Sequence, residues 1–104
     1  MHSTGYYFFM LNLYFKSGCP YCIRVIEANS TINAPLNFLN ISEKTALRTE
    51  LLEKGGKTQV PFLEDINRGV SMYESLDIIA YLKEQYGNGV EVNVKNVGNV
   101  CPID

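Results

Sequence analysis

The sequence predicts an α/β fold, a four-stranded mixed β-sheet flanked by three helices in the order β-α-β-α-β-β-α. Three observations lead there. An apolar run ending at Phe15 meets Ser17-Gly18 and then Cys19-Pro20, a strand followed by a helix start. The first half alternates short strand-like and helical stretches, the pattern of a βαβ unit with parallel strands and a right-handed crossover. The second half sets two short strands before a last helix, which reads as a hairpin and a covering helix.

The elements follow in order. Asn12–Phe15 has high strand propensity, and the aromatic residues before it allow an earlier start. Pro20 suits the first turn of a helix, where its missing N–H costs nothing. Ile23, Val25, Ile26 and Ala28 carry that helix to about Ser30. Asn33-Ala34-Pro35 is a loop, and Leu36–Ile41 is a short strand. Ser42 is expected as an N-cap, with Glu43 against the positive end of the helix dipole. The helix runs to Lys54 with Leu47, Leu51 and Leu52 as its apolar stripe, and Gly55-Gly56 ends it. Val60–Leu63 and Val70–Tyr73 are strands joined by the turn-like Asp65–Gly69. The last helix spans Ser75 to about Tyr86, with Leu76, Ile79 and Ala80 marking one face and Ile78, Leu82 and Tyr86 beside it. Gly87-Asn88-Gly89 ends it. The remainder to Asp104 alternates Val90, Val92 and Val94, then turns Asn- and Gly-rich, and reads as strand, linker or disorder. Residues 1–87 are therefore taken as one domain with a leader over 1–9, and residues 88–104 as a tail.

Composition narrows the function. A chain of 104 residues fits one domain. Its net charge of −2 does not suit a nucleic-acid binder, which carries a basic surface. The longest apolar stretch, Tyr6–Phe15, is too short for a membrane helix of about 20 residues, and it lacks a signal-peptide pattern. A cytoplasmic location and a monomer are the expectations. Three cysteines do not make a disulfide-stapled scaffold.

Two of the three form Cys19-Pro20-Tyr21-Cys22 at the predicted strand-to-helix junction. There, unpaired N–H groups and the helix dipole favour an anion, which lowers a thiol pKa and makes Cys19 the nucleophile. One helical turn returns Cys22 towards Cys19, placed to attack a mixed disulfide. Lys16, three residues upstream, adds positive charge. Two readings compete: half a zinc site, for which only His2 and Cys101 near the chain ends remain as further ligands, and two unrelated buried thiols, against which Pro20 and the strand–helix context argue. No metal is expected, and Cys101 is read as an inert tail thiol or else as a partner in a regulatory or intermolecular disulfide.

The motif, its strand and its lysine resemble a glutaredoxin, in the thioredoxin-like fold. Lys57-Thr58-Gln59-Val60-Pro61-Phe62-Leu63 resembles the family's cis-proline segment. Tyr73-Glu74-Ser75-Leu76-Asp77-Ile78-Ile79 departs from the usual small-glutaredoxin pattern, is closer to the Glu-Ser signature of glutathione S-transferase N-terminal domains, and most resembles the transferase-like branch of bacterial glutaredoxins. The resemblance covers about Leu11 to Tyr86 and implies glutathione as cofactor. Lys16 and Gln59 would hold its glycyl carboxylate, and Val60, before a cis Pro61, would pair with its cysteinyl unit as an added strand. Ser75 would take the γ-glutamyl carboxylate at a helix start and Glu74 the ammonium, while Tyr21 would line the groove. Each has a plainer alternative: Lys16 as a solvated charge, Gln59 as surface, Tyr21 as spacer, Ser75 as an N-cap, Glu74 as a dipole partner.

The resemblance implies a glutathione-dependent oxidoreductase that reduces protein–glutathione mixed disulfides and protein disulfides. A glutathione-binding iron–sulfur scaffold and a transferase-like binding domain without redox turnover are the alternatives. Conjugation is not expected, since transferases of this kind usually need a helical partner domain and the 18 residues after Tyr86 do not supply one.

Overall fold

The computed structural model describes residues 11–88, 90–92 and 100–103. The leader over 1–9, His2, Gly89 and Val94 lie outside them. Nine elements follow one another: β1 (Leu11–Phe15), α1 (Pro20–Ile32), β2 (Asn37–Asn40), α2 (Thr45–Gly55), β3 (Gln59–Val60), β4 (Phe62–Asp65), β5 (Val70–Tyr73), α3 (Ser75–Tyr86) and β6 (Cys101–Pro102). The main sheet has the order β2-β1-β4-β5, with β1 parallel to β2 and antiparallel to β4, and β4 antiparallel to β5. This is the expected four-stranded mixed sheet with three helices, a thioredoxin-like fold. A two-stranded sheet, β3 with β6, is added to it.

Strand β1 is central and covered on both faces, which is why its first four residues are all buried. Leu11 and Leu13 join Val25, Ala28 and Ile32 of α1, Leu63 of β4, and Ile78, Ile79 and Leu82 of α3 in one core. Full burial of each large aliphatic side chain is worth roughly 1.5–3 kcal/mol. Tyr14 points the other way, into a second core with Ile41, Leu51, Val60, Phe62 and the cysteines. Its hydroxyl donates to Glu50 of α2, and burial pushes its pKa up.

One buried polar residue in β1 fixes strand register. Asn12 stands opposite Asn37 in β2 and Glu64 in β4. Its amide nitrogen donates to Glu64 Oε1 at 3.2 Å, and its oxygen accepts from the Asn37 amide at 3.0 Å. A one-residue slip would break both bonds and turn the leucines outward.

Several expectations are corrected. Ser42 is not an N-cap: α2 begins three residues later, behind an extended Lys44. The Ser42 hydroxyl instead accepts from the Ser17 N–H at 3.1 Å and so braces the loop before Cys19. Leu52 is 44% exposed, leaving Leu51 as the buried anchor of α2. In α3 the buried face is Ile78, Ile79 and Leu82; Ala80 is exposed and Leu76 only half-buried. The single strand expected over Val60–Leu63 is two strands, β3 and β4, separated by Pro61, whose peptide bond with Val60 is cis. Cys101-Pro102, read within an indeterminate tail, forms β6.

Candidate functional site

The site forms at the end of the sheet where β1 leaves, β4 begins and β5 ends. Gly18, at φ +82°, makes the turn out of β1 that a β-carbon would strain. Cys19 is the N-cap of α1, in extended conformation, with Pro20 at the first helical position. Its carbonyl accepts the first helical bond from the Ile23 N–H at 3.0 Å, and its sulfur accepts from the Cys22 N–H at 3.4 Å. The local sequence thus supplies what a thiolate needs, a helix N-terminus and a backbone donor aimed at sulfur.

Cys22 lies one turn in and is fully buried. Burial raises its pKa to about 11, and Lys16, through its backbone and its charge, opposes the rise. The two cysteines of the motif therefore stand in opposite electrostatic surroundings.

Cys19 is joined by a disulfide to Cys101, 82 residues away, with the α-carbons 6.2 Å apart. This corrects the reading of Cys101 as an inert thiol. Cys22 is the free cysteine. The bond does not stand alone. In the β3–β6 ladder Val60 faces Cys101 and Gln59 faces Pro102. The Ile103 N–H donates to the Thr58 carbonyl at 3.0 Å. Lys16 Nζ donates to the Pro102 carbonyl at 2.6 Å, and Arg48 Nη2 to the Ile103 carbonyl at 3.0 Å. With this strand in place Cys19 is 1% exposed.

The other expected residues are placed as follows. Tyr21 is half-buried and packs against the core that holds both motif cysteines and Val60, with the Arg24 guanidinium 5.7 Å from its ring centroid. Gln59 and Val60 form β3, and Pro61 is buried. Phe62 pairs with Tyr73 at the end of the β4–β5 ladder, and Pro61 and Glu74 each follow directly beyond it. Glu74 is exposed and holds φ +77°, a conformation that costs a non-glycine residue about 1–3 kcal/mol. Its carbonyl accepts the first bond of α3 from Ile78, at 3.0 Å. Ser75 is fully buried, and its hydroxyl has no hydrogen-bond partner among the described residues. Two polar features point to a ligand here, a strained acidic residue and an unpartnered buried hydroxyl at one helix start.

Sequence reasoning left Cys101 open between an inert thiol and a disulfide partner without naming Cys19, and it missed the contacts of Thr58, Arg48 and Ile103. The only signal was arithmetic, a third cysteine left over from the motif. Among the described residues there is no group of His, Cys, Asp and Glu side chains fit to hold a metal ion.

The chain belongs to a known family. Residues 13–90 match the model of the glutathione S-transferase N-terminal domain, which places the protein in the thioredoxin-fold superfamily. Among solved structures it is similar to a delta-class glutathione transferase of Nilaparvata lugens, with 29% identity and a TM-score of 0.62. That match covers 74% of this chain but only 36% of the transferase, so the likeness spans about a third of the larger protein. No curated protein matches the chain. The finding fits the Glu74-Ser75 signature more closely than the glutaredoxin reading of the cysteine motif. No helix of the described residues is long and apolar enough to cross a membrane.

Proposed function

We propose that this is a glutathione-binding domain with thiol–disulfide oxidoreductase activity, in which Cys19 is the nucleophile. One observation carries the redox part of the reading: Cys19 caps helix α1 with a backbone N–H on its sulfur and shares a core with Val60 of β3, the residue before cis Pro61. The family match supports glutathione as the ligand. Lys16, Gln59 and Val60 serve its glycyl and cysteinyl parts, Glu74 and Ser75 its γ-glutamyl part, and Tyr21 the groove wall.

In the reaction, the Cys19 thiolate attacks the glutathionyl sulfur of a protein–glutathione mixed disulfide. The protein leaves as a thiolate and takes up a proton, and glutathione remains on Cys19. A second glutathione thiolate attacks that glutathionyl sulfur, releasing glutathione disulfide and the Cys19 thiolate. For protein disulfides, Cys22 resolves the mixed disulfide between Cys19 and substrate. Its raised pKa makes this branch the slower one near neutral pH.

A second reading is favoured by the family match and the aligned transferase: a glutathione-binding domain that serves conjugation instead of redox exchange. Two assays on the same preparation separate them, reduction of hydroxyethyl disulfide coupled to glutathione reductase and conjugation of glutathione to an aryl halide. The oxidoreductase reading expects turnover in the first, lost in Cys19→Ser and largely kept in Cys22→Ser. Full activity of Cys19→Ser in that assay, or turnover in the conjugation assay alone, refutes it.

A further inference from the structure

The segment 100–103 occupies the edge assigned above to glutathione, and it does so unit by unit. Glutathione was expected to pair its cysteinyl unit with the Val60 backbone; Cys101 faces Val60 in the β3–β6 ladder. Its glycyl end was expected at Lys16 and Gln59. Pro102, the residue after Cys101, faces Gln59 and takes the Lys16 ammonium on its carbonyl at 2.6 Å. The sulfur of Cys101 is bonded to Cys19, as the glutathione sulfur would be in the mixed disulfide. Arg48 and Thr58 extend the contact past the length of a tripeptide, to Ile103. On the γ-glutamyl side the likeness stops, for the Ser75 hydroxyl finds no partner there among the described residues.

We propose that Cys101 is a third redox-active cysteine of this site. In that role residues 100–103 are an internal counterpart of glutathione, and the Cys19–Cys101 disulfide is the internal form of the Cys19–glutathione mixed disulfide. The inference rests on the glutathione reading above.

The chemistry closes with glutathione and its disulfides as the only other reactants. When Cys19 carries glutathione, the Cys101 thiolate attacks the Cys19 sulfur. The Cys19–glutathione bond breaks, the Cys19–Cys101 bond forms, and glutathione leaves as a thiolate that takes up a proton. Opening runs through a new glutathione thiolate. It attacks the Cys101 sulfur, because Cys19 at the helix N-terminus is the better leaving thiolate. A second glutathione thiolate then attacks the glutathionyl sulfur on Cys101, giving glutathione disulfide and the Cys101 thiol. The net change is two glutathiones oxidised for one protein disulfide reduced.

Closure has two consequences. Cys19, at 1% exposure, is shielded from further oxidation. The groove is also shut, since the β3 edge and the Lys16 ammonium are already engaged. Glutathione and the segment therefore compete for one site, and the glutathione redox poise sets which one holds it.

The test is to equilibrate wild-type protein and Cys101→Ser in glutathione/glutathione-disulfide buffers of increasing oxidation. Samples are acid-quenched, the free thiols blocked, and unreduced peptides mapped by mass spectrometry. The expected result is a Cys19–Cys101 cross-link in wild type, with loss of the Cys19–glutathione adduct. In Cys101→Ser that adduct takes its place. If wild type keeps glutathione on Cys19 while Cys101 is alkylated freely, the inference is overturned and the glutathione reading stands. If wild type cross-links but Cys101→Ser takes no glutathione on Cys19, the glutathione reading fails and the mimicry with it. Absence of both species overturns both. The wild-type titration decides even where the serine variant fails to fold.

Discussion

With Cys19 and Cys101 tied together, Cys22 is the free thiol, and its reactivity reads out the electrostatics of the site. Burial lifts its pKa to about 11. At pH 7 about one molecule in 10⁴ would then carry the thiolate, against about 3% for an ordinary thiol of pKa near 8.5. Alkylation scales with thiolate, so Cys22 should react roughly 300-fold more slowly than an unperturbed cysteine from ionisation alone. The pH profile discriminates further. From pH 7 to pH 9 the Cys22 rate should rise about 100-fold, with no levelling, whereas an ordinary thiol rises about 25-fold and begins to saturate. The assay is iodoacetamide labelling of the oxidised protein, timed by mass spectrometry, with the same protein unfolded in guanidinium as reference. A folded-state profile that levels off near pH 8.5 would refute the argument, because the thiol would then be ionising as though solvated. The result also bears on mechanism. A thiol this hard to ionise is a slow resolving nucleophile, so reduction of protein disulfides should lag behind deglutathionylation, which runs without Cys22.

Two further substitutions test the scaffold. Glu74→Gly relieves a φ of +77° worth about 1–3 kcal/mol and adds about 0.5–1 kcal/mol of unfolded-chain entropy. Thermal melting should show unchanged or raised stability while the KM for glutathione rises roughly tenfold, the cost of about 1.4 kcal/mol for one lost charged contact; a melting point several degrees lower would contradict this. In Gly55→Ala the new β-carbon would come within 2.7 Å of Tyr73 Cζ and closer still to its hydroxyl. That ring cannot retreat freely, since its hydroxyl donates to the Lys57 carbonyl and accepts from the Lys57 N–H, and Phe62 packs on it at 4.7 Å between centroids. The gain in helix propensity of about 1 kcal/mol is outweighed by about 1–3 kcal/mol of overpacking and the strained hydrogen bonds. A melting point lower by about 4 °C or more is expected, and an unchanged one would show that the ring yields.

The same contrast between local and distant information runs through the chain. The order of the elements was readable because each rests on neighbours in sequence: Pro20 at a helix start, apolar strands bounded by turn residues, Gly56 in a left-handed cap. The motif was readable for the same reason, since Cys19 and Cys22 are one turn apart on a helix. Ser42 misled because its composition suits a cap, while the tertiary structure uses its hydroxyl to hold the Ser17 backbone. Leu52 misled because it is as apolar as its neighbour Leu51, while it stands about 100° round the helix and stays 44% exposed.

What the sequence determined by itself is thus a thioredoxin-like fold, a cysteine at one helix N-terminus, and a Glu-Ser pair at another. Tertiary structure decided the partner of Cys19. No local propensity or periodicity carries a bond across 82 residues. It arises because β3 stands outside the four-stranded sheet with an edge open for pairing, and backbone donors and acceptors there are satisfied by the extended strand that reaches them. Residues 100–103 reach them, and with the Lys16 and Arg48 contacts they bring a third cysteine onto the first.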